Sequence, residues 1–282
     1  MSTIVVHHGS VTKKVMVTGG AGFIGSHVCV ELLDRGDEVV IVDNLVNASA
    51  RAVDAIGTVA GRPAAFHELD LRDRAGLAKV FAEHDVDAVI HCAGLKAVGE
   101  SVREPLAYWD CNVGGTITLL EVMAEAGVRD LVFSSSATVY AEEAPRPLRE
   151  DAPLGPTNPY GQTKYVIARL LGDVAPAGDW RFLSLRYFNP VGAHATGELG
   201  EDPRGEPNNL MPRLLHFARD EQPAITVFGD DWPTVDGTGV RDYLHVVDLA
   251  VGHLAAIDVL PGLLGHTAVN LGTGNGVSVL QL

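Results

Sequence analysis

The sequence alternates short apolar runs with segments of helical periodicity, and this alternation restricts the fold more than any other feature. The runs are rich in β-branched residues and lie at residues 15–18, 39–43, 88–92, 131–134 and 182–186. Continuous apolar runs are typical of strands buried on both faces, and helices between such strands form right-handed crossovers in a parallel sheet. We therefore predict an α/β fold built on a doubly wound parallel sheet.

The regular alternation ends after Arg186, which predicts a division of the chain at that point. We expect a nucleotide-binding domain at residues 14–186. Residues 187–282 are expected to form a smaller C-terminal lobe, with segments that could return to the first domain. Residues 1–13 are interpreted as an unstructured leader, and they lack the basic start and long apolar core of a signal peptide. Near the other end, Ser278 fits the N-cap of a helix.

A glycine-rich loop follows the first run and precedes a helical segment that continues to Arg35. Its sequence, Thr18-Gly19-Gly20-Ala21-Gly22-Phe23-Ile24-Gly25, satisfies both G-x-G-x-x-G and G-x-x-G-x-x-G. Glycines in this position permit a tight turn and let the backbone approach a pyrophosphate at the helix N-terminus. A turn used only for packing is the alternative, but the order of strand, glycines and helix favours the dinucleotide site of a Rossmann fold.

Polar residues after the second and third strands extend the predicted dinucleotide site. Asp43 ends the second run, where its carboxylate can accept a hydrogen bond from a ribose 2′-hydroxyl, and Asn44 rather than an arginine follows it. This combination favours NAD over NADP. Asp70 and Leu71 follow the third, shorter strand and are expected at the adenine edge.

Tyr160 and Lys164 lie four residues apart behind a predicted helix start at Asn158-Pro159. This spacing places both side chains on one face of the helix. A neighbouring cation favours the phenolate, so we expect Lys164 to lower the pKa of Tyr160 and allow the tyrosine to act as a general base. Such pairs also arise by chance on amphipathic helices, so the hypothesis depends on the site around them.

The charge and the cysteines restrict the possible partners and compartments. A formal net charge of -15 argues against nucleic acid and anionic membranes as partners. No apolar run approaches membrane-spanning length. Cys29, Cys92 and Cys111 lack paired spacing, which is typical of reduced thiols, and no Cys/His spacing indicates a metal site. We therefore predict a cytoplasmic protein without a metal.

Several blocks of sequence together carry a resemblance to a known family. They are residues 18–25, 91–101, 134–140, 160–164, 186–193, 208–212 and 237–245. In combination they resemble the UDP-glucose 4-epimerase family of extended short-chain dehydrogenase/reductases, from about Lys14 to the end of the chain. The resemblance implies a tightly held NAD that oxidises C4 of a UDP-hexose to a 4-keto intermediate and returns the hydride to the opposite face, which interconverts UDP-glucose and UDP-galactose.

The resemblance also implies roles for individual residues. Tyr160 would be the base, Lys164 would tune it and bind the nicotinamide ribose, and Ser136 would hydrogen-bond the reacting hydroxyl. The implied cofactor contacts are Gly19, Gly22, Phe23, Ile24, Gly25, Asp43, Asn44, Asp70, Leu71, Gly94, Lys96, Asn112, Tyr160 and Lys164. The implied substrate contacts are Ser136, Asn189, Asn208, Phe228 and Arg241. A homodimer is implied as well, through helices around residues 101–126 and 160–171.

Some of these residues have structural alternatives. Lys96 could be a solvated lysine, and Asn112 could have a structural role. Phe228 could belong to the core, Asn208 could form a turn, and Arg241 could pair with the adjacent Asp242 instead of binding a diphosphate.

Departures from the family pattern leave other functions open. The chain ends at Leu282, where the family is expected to continue through further substrate-binding elements, and Ala141 replaces a glycine in a shortened loop. The alternatives are a catalytically impaired NAD-binding or scaffold protein and another nucleotide-sugar-modifying member of the superfamily. Ala137 and Thr138 occupy the places where a 4,6-dehydratase would carry Asp-Glu, which argues against elimination of water.

Overall fold

The strands in the described part of the chain form two sheets. The computed structural model describes residues 12–202, 209–219 and 224–282. The strands are β1 (Lys14–Thr18), β2 (Glu38–Asp43), β3 (Ala65–Glu68), β4 (Ala88–His91), β5 (Asp130–Ser136), β6 (Arg181–Tyr187), β7 (Asn189–Val191), β8 (Val240–His245), β9 (Gly265–Leu271) and β10 (Gly276–Ser278). A seven-stranded sheet has the order β3-β2-β1-β4-β5-β6-β9. Each neighbouring pair in it is parallel, which confirms the predicted sheet.

Helices connect the strands and cover both faces of the large sheet. They are α1 (Phe23–Arg35), α2 (Ala50–Ala60), α3 (Arg74–Glu83), α4 (Val98–Arg103), α5 (Pro105–Tyr108), α6 (Gly115–Ala126), α7 (Pro159–Val174), α8 (Leu210–Ala218) and α9 (Val246–Val259). A π-helical turn at Trp109–Gly114 joins α5 to α6. No helix in the described ranges is long and apolar enough to cross a membrane.

The side chains of β1 show why the sheet is buried on both faces. Val15 and Val17 belong to a core cluster with α1, α2 and α9, whereas Met16 belongs to a second cluster with α3, α6 and α7. Successive strand residues point to opposite faces, so a run without polar residues requires helices on each side. This is the doubly wound arrangement that the sequence predicted.

The C-terminal part of the chain contributes to both sheets. A three-stranded sheet has the order β10-β8-β7, while β9 pairs in parallel with β6 and α9 packs against α1. The chain therefore returns to the large sheet after the predicted boundary at Arg186, and the division into two domains stays a prediction.

Ser278, which fits an N-cap in the sequence, accepts a hydrogen bond from the amide of Gln281 at 3.3 Å, but a turn rather than a helix follows it. Ser278 is the last residue of β10, where it pairs with Val240 of β8. Its buried hydroxyl donates to the carboxylate of Asp236. The backbone is therefore held as a strand, and a turn follows it.

Candidate active site

The glycine-rich loop turns from β1 into α1 with no room for side chains at two of its positions. Gly19 has a φ of 70°, and a Cβ there would lie 2.6 Å from the backbone nitrogen of Ala93. A Cβ at Gly25 would lie 2.2 Å from the carbonyl oxygen of Gly19. Both contacts would be with backbone atoms. Only glycine at these two positions therefore lets the loop pack against itself and against the segment after β4.

The N-terminus of α1 is available to an anionic group. Gly22 is the N-cap residue, no side chain caps the helix, and its first turn contains no acidic residue. The first amide groups of a helix have no partner within it and carry partial positive charge. Because Phe23 and Ile24 line a cleft at this point, the helix end fits a phosphate group in that cleft.

The cleft has a volume of about 660 Å³ and lies at the carboxyl ends of the strands of the large sheet. Residues at or just after the ends of β1, β2, β4, β5 and β6 contribute to its wall. Its wall contains most of the residues that the sequence predicted. These are Gly19, Gly22, Phe23, Ile24, Gly25, Asp43, Asn44, Asp70, Leu71, Gly94, Lys96, Ser136, Tyr160, Lys164 and Asn189.

Asp43 lies at the end of β2 beside the glycine-rich loop. Its Oδ2 accepts a hydrogen bond from the amide of Ala21 at 3.1 Å, and its Oδ1 accepts one from the amide of Leu45 at 2.9 Å. Burial raises the pKa of Asp43, and these two amide hydrogen bonds oppose the shift. Each carboxylate oxygen has a further lone pair, so the group can still accept a hydrogen bond from a ribose hydroxyl.

Asp70 and Asn44 join the ends of two neighbouring strands at the same rim. The amide nitrogen of Asn44 donates to Asp70 Oδ2 at 2.9 Å. Arg72 also binds this carboxylate, at 2.7 Å, and its hydrogen bonds hold the pKa of Asp70 well below the usual range. Asp70 therefore stays ionised and fixes the rim after β3.

Ser136 and Tyr160 lie next to each other where β5 ends and α7 begins. Both side chains line the cleft, and Ser136 opposes the rise in the pKa of Tyr160 that burial causes. Ser136 Oγ accepts hydrogen bonds from the amide and the hydroxyl of Thr138, at 3.2 Å and 3.0 Å. The predicted helix start is confirmed, since Asn158 Oδ1 accepts from the amide of Gly161 at 2.9 Å as the N-cap.

Burial shifts the pKa values of both Tyr160 and Lys164. The Nζ atom of Lys164 donates to the carbonyl oxygen of Ser134 at 2.9 Å. Burial lowers the pKa of Lys164 to about 8. Burial also raises the pKa of Tyr160, and the Ser136 hydrogen bond only partly opposes this. The expected lowering of the tyrosine pKa by Lys164 is therefore not found in the structure, where burial has the largest effect on the phenol; for the cleft with NAD bound it stays a prediction.

Two of the predicted cofactor residues already have protein partners. Lys96 lines the cleft, but its ammonium forms an ion pair with Glu201 at 3.0 Å. Asn112 is buried behind the cleft wall, where its side chain bonds both backbone groups of Leu95 and the hydroxyl of Thr163. This is the structural alternative for Asn112, and contact of either residue with a cofactor stays a prediction.

Only some of the predicted substrate-binding residues lie at the cleft. Asn189 lines the cleft and donates to the carbonyl oxygen of Asp242 at 3.3 Å. Phe228 is 80% exposed and, like Arg241, does not line the cleft. The Asp242 carboxylate accepts from Thr273 and Gly274, so the adjacent-pair alternative for Arg241 has no support. Asn208 lies outside the described residues.

The structure adds residues that sequence reasoning missed. Thr138 and Tyr187 line the cleft, and both stand within sequence blocks that carried the family resemblance. Arg51 and Glu201 also line it, but no motif or spacing indicated them. Arg51 lies on α2, and only the packing of that helix brings it to the cleft.

Comparisons with known proteins agree with this geometry. The model of the NAD dependent epimerase/dehydratase family matches residues 15–272. The UDP-glucose 4-epimerase of Bacillus subtilis (strain 168) is 54% identical over 95% of this chain and 79% of its own length. UDP-glucose 4-epimerase 2 of Arabidopsis thaliana is 54% identical over 96% of this chain and 79% of its own length.

Solved structures are similar over the same region. The crystal structure of UDP-glucose 4-epimerase from Bifidobacterium longum in complex with NAD+ and UDP has a TM-score of 0.92 at 50% identity. The match covers 95% of this chain and 81% of that one. The enzyme from Stenotrophomonas maltophila with bound NAD has a TM-score of 0.93 at 51% identity, with coverage of 95% and 80%. With its glycine loop, Asp43 and Ser136–Tyr160–Lys164 in one cleft, the chain belongs to the NAD dependent epimerase/dehydratase family.

Proposed function

We propose that this chain is an NAD-dependent UDP-glucose 4-epimerase, which interconverts UDP-glucose and UDP-galactose through a 4-keto intermediate. The observation that carries the proposal is that one cleft contains both the glycine-rich loop and Ser136, Tyr160 and Lys164. The names of relatives at 54% identity support the choice of substrate.

The residues of the cleft fit the cofactor. The space kept open by Gly19, Gly22 and Gly25 and the uncapped start of α1 suit the pyrophosphate. Asp43 suits the adenosine ribose, and its negative charge would repel a 2′-phosphate. When bound, NAD supplies reversible hydride transfer to and from the sugar carbon.

Ser136 and Tyr160 perform the proton transfer. Both side chains line the cleft, and a sugar hydroxyl placed between their hydroxyl groups contacts both. Tyr160 removes the proton as the C4 hydroxyl becomes a ketone and returns it when the hydroxyl forms again. Ser136 holds the sugar oxygen in line with the phenol.

Lys164 supplies positive charge beside this pair. With a pKa of about 8 its ammonium is mostly protonated at neutral pH. The ammonium also holds the carbonyl oxygen of Ser134, two residues before Ser136. Lys164 therefore fixes the end of β5 and favours the phenolate once the cleft is loaded.

We propose that residues 187–282 bind the nucleotide part of the substrate. We propose contacts from Asn189, Asn208, Phe228 and Arg241. Phe228 and Arg241 lie outside the cleft wall, so their contacts require a UDP group that extends beyond it. We also propose a cytoplasmic homodimer.

The test is to purify the chain, release and identify its nucleotide, and measure conversion of UDP-galactose to UDP-glucose without added reductant. Bound NAD with turnover supports the proposal. Bound NAD without turnover favours an impaired NAD-binding protein. Loss of water from the sugar would favour a dehydratase, although Ala137 and Thr138 argue against that.

Tyr160→Phe tests the assignment of the base. We expect conversion to fall by at least about a hundredfold, while the bound NAD is retained because the glycine-rich loop is unchanged. Tyr165→Phe, in the same helix, is the matched control and should keep normal activity. Near-normal conversion by Tyr160→Phe would contradict the role of this phenol.

A further inference from the structure

Two histidines and a glutamate form a cluster away from the cleft. His67 lies on β3, Glu83 is the last residue of α3, and His84 follows it. One ligand atom from each of the three side chains lies within 4.8 Å of the others. None of these residues lines the cleft, so the cluster has no part in the proposed reaction.

The two imidazole rings direct nitrogen atoms at each other. His67 Nε2 lies 2.9 Å from His84 Nε2, and the ring planes meet at 78°. In a pair of neutral imidazoles one nitrogen donates and the other accepts. A tetrahedral ion with Zn–N bonds of about 2.0–2.1 Å separates its two nitrogen ligands by about 3.3 Å. Opening the pair by a few tenths of an ångström, with a rotation of the rings that directs both lone pairs at one point, would therefore admit an ion.

Two of the three clustered side chains, Glu83 and His84, are adjacent in the sequence. Glu83 ends the helix, and His84 leaves it in an extended conformation with φ −126° and ψ 127°. Both side chains then reach the same side of β3. Two nitrogens and a carboxylate form a set that suits zinc and similar divalent ions better than Mg²⁺ or Ca²⁺, which prefer oxygen ligands.

We propose that His67, Glu83 and His84 bind a divalent transition-metal ion of the zinc type, with water in the fourth position. The ion would connect the edge strand β3 to the end of α3. His67 lies three residues before Asp70, which lines the cleft. Binding should therefore stabilise the edge of the sheet that leads into the cleft.

Charged side chains of both signs lie around the cluster. Lys14 and Arg62 line the recess beside His84, but Lys14 is paired with Glu38 at 3.2 Å.

The test measures Zn²⁺ binding to the full chain by titration calorimetry. The protein is prepared without a histidine tag. His7 and His8 are replaced by glutamine in the parent and in each variant, because adjacent histidines could bind metal by themselves. We expect one ion per chain and a rise in Tm with Zn²⁺ but not with Mg²⁺. His67→Gln and His84→Gln should each weaken binding by about tenfold or more.

A matched pair of substitutions tests the carboxylate. Glu83→Gln should weaken Zn²⁺ binding, while Asp85→Asn, which removes an equal charge two residues away, should leave it unchanged. Co²⁺ should give the visible absorption bands of a tetrahedral site in the parent protein and lose them in His84→Gln. Equal Zn²⁺ affinity in the parent and both histidine variants, or no saturable binding, would overturn the proposal. Tm values without metal show whether each variant is folded.

Discussion

Burial lowers the pKa of histidines that lie inside the protein. His91 Nδ1 lies 2.7 Å from the hydroxyl of Thr18, and Nε2 lies 2.9 Å from that of Thr116. Burial, with a smaller effect from Lys164, lowers the pKa of His91 to about 3. Burial likewise lowers the pKa of His253 to about 4. Both rings are therefore neutral in the folded protein at pH 7.

These histidines predict a loss of stability in mild acid. Between pH 6.5 and about 4 the unfolded chain binds more protons than the folded one, so stability falls as pH decreases. At pH 5 each histidine should reduce the free energy of unfolding by about 2 kcal/mol relative to pH 7.5. Urea unfolding at the two pH values measures the change.

His253→Gln is the control for this prediction. It removes one titrating group, so the difference in stability between the two pH values should shrink by about 2 kcal/mol. An unchanged difference would show that His253 is not held neutral in the folded protein.

The position of a side chain in the site could be predicted where a local motif defines it. Gly25, Asp43 and Tyr160 stand at fixed positions relative to a strand or a helix start, and the structure places them in the cleft. The ion pair between Lys96 and Glu201 could not be predicted, because its members are 105 residues apart. The raised pKa of Tyr160 also escaped prediction, since burial depends on packing around the phenol.

At the scale of single elements, the turn from β1 into α1 depends on glycine. Gly25→Ala places a methyl group 2.2 Å from the Gly19 carbonyl oxygen, so the loop must open. We expect NAD binding to weaken at least tenfold and stability to fall by about 1–3 kcal/mol. Fluorescence titration with NAD and urea unfolding would measure the two effects.

Gly57→Ala provides the matched control on another helix. Gly57 lies in α2, and the nearest atom to an added Cβ is 3.9 Å away. Alanine should stabilise this helix by about 0.5–1 kcal/mol and leave NAD binding unchanged. If Gly25→Ala bound NAD as well as Gly57→Ala, the loop would not require glycine there.

Five of the ten described strands could be predicted from their apolar runs, with ends that differ by a residue or two. The position of β9 could not, because its partner β6 lies more than seventy residues earlier in the chain. Ser278 fits an N-cap in the sequence, but it ends β10 and pairs with β8, which the local pattern does not indicate. The local sequence pattern determines whether a segment prefers a helix or a strand, while pairing with distant segments determines its position in the fold.

At the scale of the whole molecule, large apolar side chains remain exposed on α4, α5 and α6. Val102, Leu106 and Ile117 are 63%, 82% and 42% exposed. These helices lie in the region through which the family resemblance implies a homodimer. Leu106→Glu should therefore shift a dimer to a monomer at micromolar concentration, as measured by light scattering after gel filtration.

Leu264→Glu is the control for this surface. Leu264 is 90% exposed and lies just before β9, so its replacement should leave the mass unchanged. A monomeric mass for the unmodified chain would contradict the homodimer.

The sequence by itself determined the parallel sheet, the glycine-rich loop, the acid at the end of β2 and the helix that carries Tyr160 and Lys164. Each depends on residues that are neighbours in the chain, through strand or helix periodicity and turn chemistry. Only the tertiary structure decided the return of β9, the partner of Lys96, the pairing of His67 with His84 and the protonation of Tyr160. These depend on burial and on contacts between distant segments, which no local pattern encodes.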